Sequence, residues 1–176
     1  GRPSATVTPR MLVTTRSAPV ADAPADPLRL RTAVYERELP NVKHVALFGT
    51  MTARRNAQLL GYDDVLFVDR SGFLREGATW NVGFRGQTDD VLWPAGEQLD
   101  GVTMALLKDA IGSGSTVEAI SLADIGGRLH GHVGFVTNAV TGVRRIASID
   151  DIELGASIAQ FEGLERRYAE IPWDLI

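Results

Sequence analysis

Asn41-Val-Lys-His-Val-Ala-Leu-Phe48 and, further along, Arg75-Glu-Gly-Ala-Thr-Trp-Asn-Val-Gly-Phe84 are the stretches from which the fold is read. The first places a lysine just ahead of a segment where Val45, Phe48, Ala53, Ala57 and Leu60 recur at helical spacing. With Gly61 as a stop, a helix is expected from about Val45 to Leu60. The second stretch ends one strand at Glu76 and begins another at Asn81. Between the two, Asp64-Val-Leu-Phe-Val-Asp69 is a short apolar strand, Arg70-Ser-Gly72 a tight turn and Phe73-Leu-Arg-Glu76 the return strand of a hairpin.

Working outward, Leu28-Arg-Leu-Arg-Thr-Ala-Val-Tyr35 alternates apolar and polar residues and reads as a strand that ends before Pro40. Asn81–Phe84 and Val91–Trp93 form a second hairpin across Arg85–Asp90. Gly101-Val-Thr103 opens a helix that runs to Ile111 and stops at Gly112-Ser-Gly114. Ser121 caps a short helix, Gly134–Thr137 and Arg144–Ile149 read as strands, and Ile158–Ala169 as a terminal amphipathic helix. Strands and helices mixed without a βα repeat predict an α+β fold, sheets with flanking helices. Ahead of this body, Ala5–Thr15 carries β-branched residues at strand spacing, and Ser17–Pro27 is a Pro/Ala/Asp-rich linker. The expected division is therefore 1–27, a terminal strand plus linker, and 28–176, a larger domain.

Composition narrows the partners. A chain of 176 residues, 44% apolar and 23% charged, can bury a sizeable core in one domain or a little more. A net charge of −4 argues against nucleic acid or an anionic membrane and for small molecules. The absence of cysteine excludes a thiolate nucleophile and a Cys-based zinc site, and suits a reducing cytosol. No apolar run approaches the roughly 20 residues of a membrane helix, and no charged-then-apolar leader opens the sequence, so a cytoplasmic location is expected. His130-Gly-His132 places two imidazoles on one strand face without a third ligand, and no metal is expected. Trp80, Trp93 and Trp173 read as core or interface anchors, Trp80 also as a pocket wall.

The chemistry rests on few groups. Of only two lysines, Lys43 sits among Val42, Val45 and Leu47, where burial would lower its pKa and keep the amine nucleophilic, while Lys108 reads as a solvated helix residue. Glu76 is followed by Gly77, which admits close approach of a flat ligand. Gly101-Val-Thr103 at a helix start favours an anion, and the polar turn Thr137–Gly142 offers a second set of donors. Singly, these are a surface lysine, a hairpin-end charge, a helix cap and a turn. Together, an amine, a carboxylate and anion cradles are what pyridoxal phosphate (PLP) requires.

The order of these motifs resembles the fold-type IV PLP enzymes, the class IV aminotransferase family. It comprises Lys43, Gly61-Tyr-Asp-Asp-Val-Leu-Phe-Val-Asp69, Glu76-Gly77 with Asn81, Leu99-Asp-Gly-Val-Thr103, and Thr137-Asn-Ala139, and it extends from about Tyr35 to Asp150. The resemblance implies that Lys43 is the Schiff-base lysine and Glu76 the partner of the pyridine nitrogen. It makes Val102, Thr103, Asn138 and Ala139 phosphate contacts and Asn81 a structural position. It also implies a homodimer, and a small N-terminal α+β domain whose last strand opens this chain and whose remainder is missing from it. The implied reaction moves an amino group between an amino acid or amine and a 2-oxo acid. Two other readings stay open. Ala139, where the transaminases usually carry threonine, and Lys43-His44 resemble the aminodeoxychorismate lyase branch, which releases pyruvate, whereas Ala46 and Thr103 do not. Arg144-Arg145, where the family commonly has a residue followed by proline, is the mark of a third, a catalytically silent scaffold.

Overall fold

The alternation in Leu28-Arg-Leu-Arg-Thr-Ala-Val34 sets the central strand β1 (Leu28–Val34), with Leu28 and Leu30 buried and Arg29 and Arg31 exposed. The computed structural model describes residues 8, 10–15, 25–88 and 90–172. After β1 come α1 (Phe48–Leu59), β2 (Asp64–Val68), β3 (Leu74–Gly77), β4 (Asn81–Arg85) and β5 (Val91–Pro94). Then follow α2 (Val102–Ile111), a 3-10 turn at Gly112–Gly114, β6 (Ser115–Glu118), α3 (Leu122–Gly126), β7 (Val133–Asn138), β8 (Gly142–Ile149), β9 (Ile152–Glu153) and α4 (Ile158–Ala169).

The strands form one mixed sheet ordered β3-β2-β1-β8-β7-β4-β5-β6, with β9 on β8. β1 runs parallel to both β2 and β8, and the other ring neighbours are antiparallel. Because β3 also meets β4, through Glu76 and Asn81, six strands close into a ring, and β5 and β6 continue outward from β4. Period-two patterning fills the ring. Leu28, Leu30, Leu66, Val68, Leu74, Val82, Phe84, Val136 and Ile146, drawn from all six strands, pack in one cluster with Ile120, Ile125 and Leu129. Each such side chain contributes about 1.5–3 kcal/mol relative to exposure. The alternate residues of β2, Val65 and Phe67, face α1 and pack on Ala57. Trp93, Met104, Leu107, Phe135 and Leu164 join the sheet to α2 and α4.

α1 differs from the expected helix. It begins at Phe48, with no side-chain cap on Leu47, and Val45 and Phe48 are 97% and 87% exposed. Spacing alone put both on the buried stripe; the buried residues are Thr50 and Ala57. Gly61, at φ +88°, ends the helix as expected. The strand expected over Ala5–Thr15 is not formed by Thr8 or residues 10–15, which are exposed and irregular. The rest of that stretch, residues 16–24 of the linker and Trp173 lie outside the described residues. His130 and His132 fall in the turn ahead of β7 rather than on a strand face, and no group of described residues could hold a metal. Lys108 is half-buried, its Nζ 5.7 Å from the Trp93 ring centroid, so its solvated reading is corrected to a cation–π contact. No helix among the described residues is long and apolar enough to cross a membrane.

α3 is short and depends on its cap. The Ser121 hydroxyl accepts from the Asp124 N–H while the Asp124 carboxylate accepts from the Ser121 N–H. The Arg128 guanidinium, then the Ser121 bonds, hold the Asp124 carboxyl down to about 2, from the usual 3.8. A depressed carboxyl stabilises the fold above its unfolded value and loses that contribution as pH falls. Asp124→Ala is therefore expected to cost about 1 kcal/mol at neutral pH. In urea titrations at a series of pH values, the gap between the two proteins closes as pH drops from 3.8 towards 2.

Candidate cofactor site

Glu76 is the penultimate residue of β3, where the ring closes, opposite Asn81 in register. Its side chain is almost wholly buried, and so is that of Arg37, whose Nη1 donates to Oε1 at 3.1 Å. The Leu99 N–H donates to Oε2 at 3.3 Å. Burial pushes the Glu76 carboxyl above its usual 4.5, while Arg37, Leu99 and the charge of Lys43 oppose the rise without cancelling it. Arg37 is a site residue that the sequence did not single out. In Glu36-Arg-Glu38 it reads as one charge in a solvated run, and only the fold places it against Glu76.

A cavity of about 490 Å³ opens beside this pair, and Lys43, Glu76, Val102, Asn138 and Ala139 all border it. The sequence-derived set thus converges, Thr103 excepted: it is 3% exposed in the first turn of α2 and does not border the cavity. Lys43, Val42 and Val45 are exposed, so the desolvation expected of the amine is not supplied by the described residues; apolar neighbours in sequence did not become a buried environment.

Two further residues shape the walls. The Trp80 indole lies across Gly77, where a Cβ would overlap the ring, and its Nε1–H donates to the buried Asp64 carboxylate at 3.0 Å. Arg54 Nε stands 3.4 Å from the same oxygen. Trp80 is thus both a core anchor and a cavity wall. Asn81, 4% exposed, donates from Nδ2 to the Leu99 carbonyl at 2.8 Å, and its Oδ1 occupies the space a Cβ on Gly101 would need. Asn81 therefore ties the segment that partners Glu76 to the residue that caps α2.

That cap is bare. Gly101 provides no side-chain bond to the first turn of α2, and no acidic residue lies there, so the turn's N–H groups and the helix dipole remain available beside the cavity. Gly101→Ala would drive its methyl into Asn81. It is expected to lower stability by about 1–3 kcal/mol, read in thermal melts, and to weaken binding of a phosphorylated ligand. The Asn138 side-chain oxygen, also on the cavity border, accepts from the N–H groups of Val140 and Thr141, which fixes the turn that carries Ala139.

The amino-transferase class IV family matches residues 1–149. The chain belongs to that family. Among solved structures, this class IV chain is similar to a protein from Legionella pneumophila described as a 4-amino-4-deoxychorismate lyase, at 22% identity and TM-score 0.72, covering 84% of this chain and 57% of that one. It is also similar to an aminotransferase from Mycobacterium tuberculosis, described as hypothetical and solved in a PLP-bound form, at 20% identity and TM-score 0.71, covering 83% and 56%. A third is the fold IV-transaminase CpuTA1 of Curtobacterium pusillum, at 24% identity and TM-score 0.67, covering 80% and 51%. At these identities the likeness carries the fold. The chain spans a little over half the length of these structures. No match is found among the curated proteins.

Proposed function

We propose that this class IV chain binds PLP in the cavity between Lys43 and Glu76 and acts in transfer of an amino group between an amino acid or amine and a 2-oxo acid. The observation that carries the proposal is that one cavity is bordered by the exposed Lys43 amine, a buried carboxylate and the uncapped N-terminus of α2. The residues present fit the group: its size lies within the usual range of ligand pockets, roughly 300–1,000 Å³, and its donors and acceptors match the three ends of the cofactor. When bound, PLP supplies an electron sink for the α-carbon of an amino substrate.

The chain's own residues supply the rest. Lys43 would hold the cofactor's aldehyde carbon through Nζ, and its free amine would serve as the proton carrier at the substrate Cα. Glu76 would accept from the ring nitrogen of the cofactor, and Arg37 favours its ionised form against the cost of burial. The N–H groups at the start of α2 and the backbone at Asn138–Ala139 would hold the phosphate. Trp80 and Ala78 line the cavity near Glu76. We extend the proposal to a cytoplasmic homodimer in which residues 28–176 are the cofactor-binding domain and residues 1–27 lead from a small domain that completes the substrate pocket.

The test is direct. Purified chain is incubated with PLP, treated with borohydride and mapped by peptide mass spectrometry, with a modified Lys43 as the expected result. The absence of any adduct favours the silent scaffold. The lyase reading draws on Asn138-Ala139 and Lys43-His44, and a substrate assay separates it. Amino transfer needs an amino donor and 2-oxoglutarate or pyruvate, whereas the lyase consumes aminodeoxychorismate alone and releases pyruvate.

A further inference from the structure

One end of the ring opens onto a second cavity, of about 300 Å³, that the proposed chemistry does not use. Its floor is the last apolar layer of the ring, Leu28, Trp80 and Val136. Thr79, Trp80 and Asn138 border this cavity and the cofactor cavity alike, so the two adjoin. Two arginines from different elements stand at its border, Arg54 from α1 and Arg144 from β8. Arg144 lies directly opposite Val136 across the antiparallel β7–β8 pair and two residues before Ile146, and both of those side chains belong to the ring core. The register therefore turns Arg144 towards the ring mouth. There its Nε donates to the Asp26 carbonyl at 2.8 Å, and neither Nη meets an acceptor or a carboxylate among the described residues.

Arg54 is little better served. It stands 3.4 Å from Asp64 Oδ2, yet its Nε forms no hydrogen bond, and the Asp64 carboxylate also accepts from the Trp80 indole and the Val65 N–H. The other carboxylate at the border, Asp63, is matched by Arg29, whose backbone N–H and guanidinium both reach its Oδ2. Arg144, half-buried, is left without a counter-ion. A guanidinium in that state gives up part of its hydration for a single carbonyl. We propose that the ring mouth is an anion subsite in which Arg144 and Arg54 hold the carboxylate of a small organic acid. The guanidinium fork matches a carboxylate through two parallel hydrogen bonds. The apolar floor suits the carbon chain of such an acid rather than a bare inorganic ion, and the volume meets the lower bound of ligand pockets, roughly 300 Å³. Asn138, with its side-chain oxygen committed to its own turn, has its amide nitrogen left to donate. The subsite stands on the ring mouth alone and does not depend on the PLP reading.

Isothermal titration calorimetry with glutarate and with inorganic phosphate tests it on the unaltered chain, Arg144→Gln, Arg144→Lys and Lys43→Ala, with melts of each ligand-free protein. The expected result is saturable glutarate binding, tighter than that of phosphate. It weakens about tenfold or more in Arg144→Gln, less in Arg144→Lys, and is unchanged in Lys43→Ala. Should Arg144→Gln melt well below the unaltered chain, the loss of affinity in Arg144→Lys decides instead. No saturable glutarate binding, or equal affinity in both Arg144 variants and the unaltered chain, overturns the proposal. A loss in Lys43→Ala as large as that in Arg144→Gln also overturns it, because the acid would then sit at the cofactor amine. Phosphate binding tighter than glutarate overturns the assignment to a carboxylate. The borohydride adduct at Lys43 reports on the PLP reading separately, and its absence leaves these outcomes untouched.

Discussion

Lys43→Ala is expected to abolish the borohydride-trapped adduct and to lower amino transfer by at least about 10³–10⁴-fold, the range spanned by loss of a positioned proton carrier and a covalent anchor. The prediction is unusually clean in this chain. Only two lysines exist, and Lys108 is half-buried over Trp93, away from the cavity, so it cannot take over. Lys43→Arg separates charge from chemistry. It keeps a cation near Glu76 but provides no amine able to hold an aldehyde carbon. If Lys43→Arg retains the adduct, or if the adduct maps to Lys108, the assignment of the site fails. Melting temperatures should barely move in either variant, since Lys43 is exposed.

Glu76→Ala is expected to cost about 3–5 kcal/mol of stability, because it strands the Arg37 guanidinium, buried to nearly the same degree, without its counter-ion. Glu76→Gln keeps one carbonyl acceptor, enough for Arg37 or for the Leu99 N–H but not for both, and removes the counter-charge, so its cost should be smaller than that of Glu76→Ala in the same urea titration without vanishing. Both variants should bind PLP more weakly. Pairing Glu76→Leu with Arg37→Met removes both charges and is expected to recover most of the stability while leaving the binding defect in place. Recovery of both together would mean that Glu76 serves the fold alone. The pH dependence has a defined sign. A carboxyl raised in the folded state makes folding less favourable as pH climbs through the interval above its ordinary value. In binding the same rise acts on the acid side. Glu76 becomes protonated at a higher pH than an ordinary glutamate, so the acid limb of PLP affinity should lie above pH 4.5 and be absent in Glu76→Gln.

Local patterns carried much of the fold. The two-residue period of Leu28–Val34 and the apolar run Asp64–Val68 became the expected strands, and the terminal helix follows its spacing over Ile158–Ala169. Four-residue β6 and two-residue β9 escaped, because Ser115-Thr-Val-Glu118 is polar and preceded by Gly112-Ser-Gly114, and a two-residue strand has no period to read. The ring itself was not legible. It depends on β1 lying between β2 and β8, a choice between distant segments that no window of sequence encodes. The site divides in the same way. Lys43, Glu76, Val102, Asn138 and Ala139 stand out as motif residues and meet at one cavity. Arg37 depends on what it faces: a charge in an acidic run is ordinary until a buried neighbour gives it meaning.

The closure of the six-stranded ring depends on a single facing pair, Glu76 and Asn81, and the proposed occupant lies directly against that pair. On the PLP reading, the cofactor acts as a buckle on the narrowest join of the barrel. At a hundredfold excess over its dissociation constant it adds about 2.7 kcal/mol to the folded state. Protease digestion of the empty protein should begin by parting this join. How long the chain persists in a cell then follows how much cofactor the cell can spare.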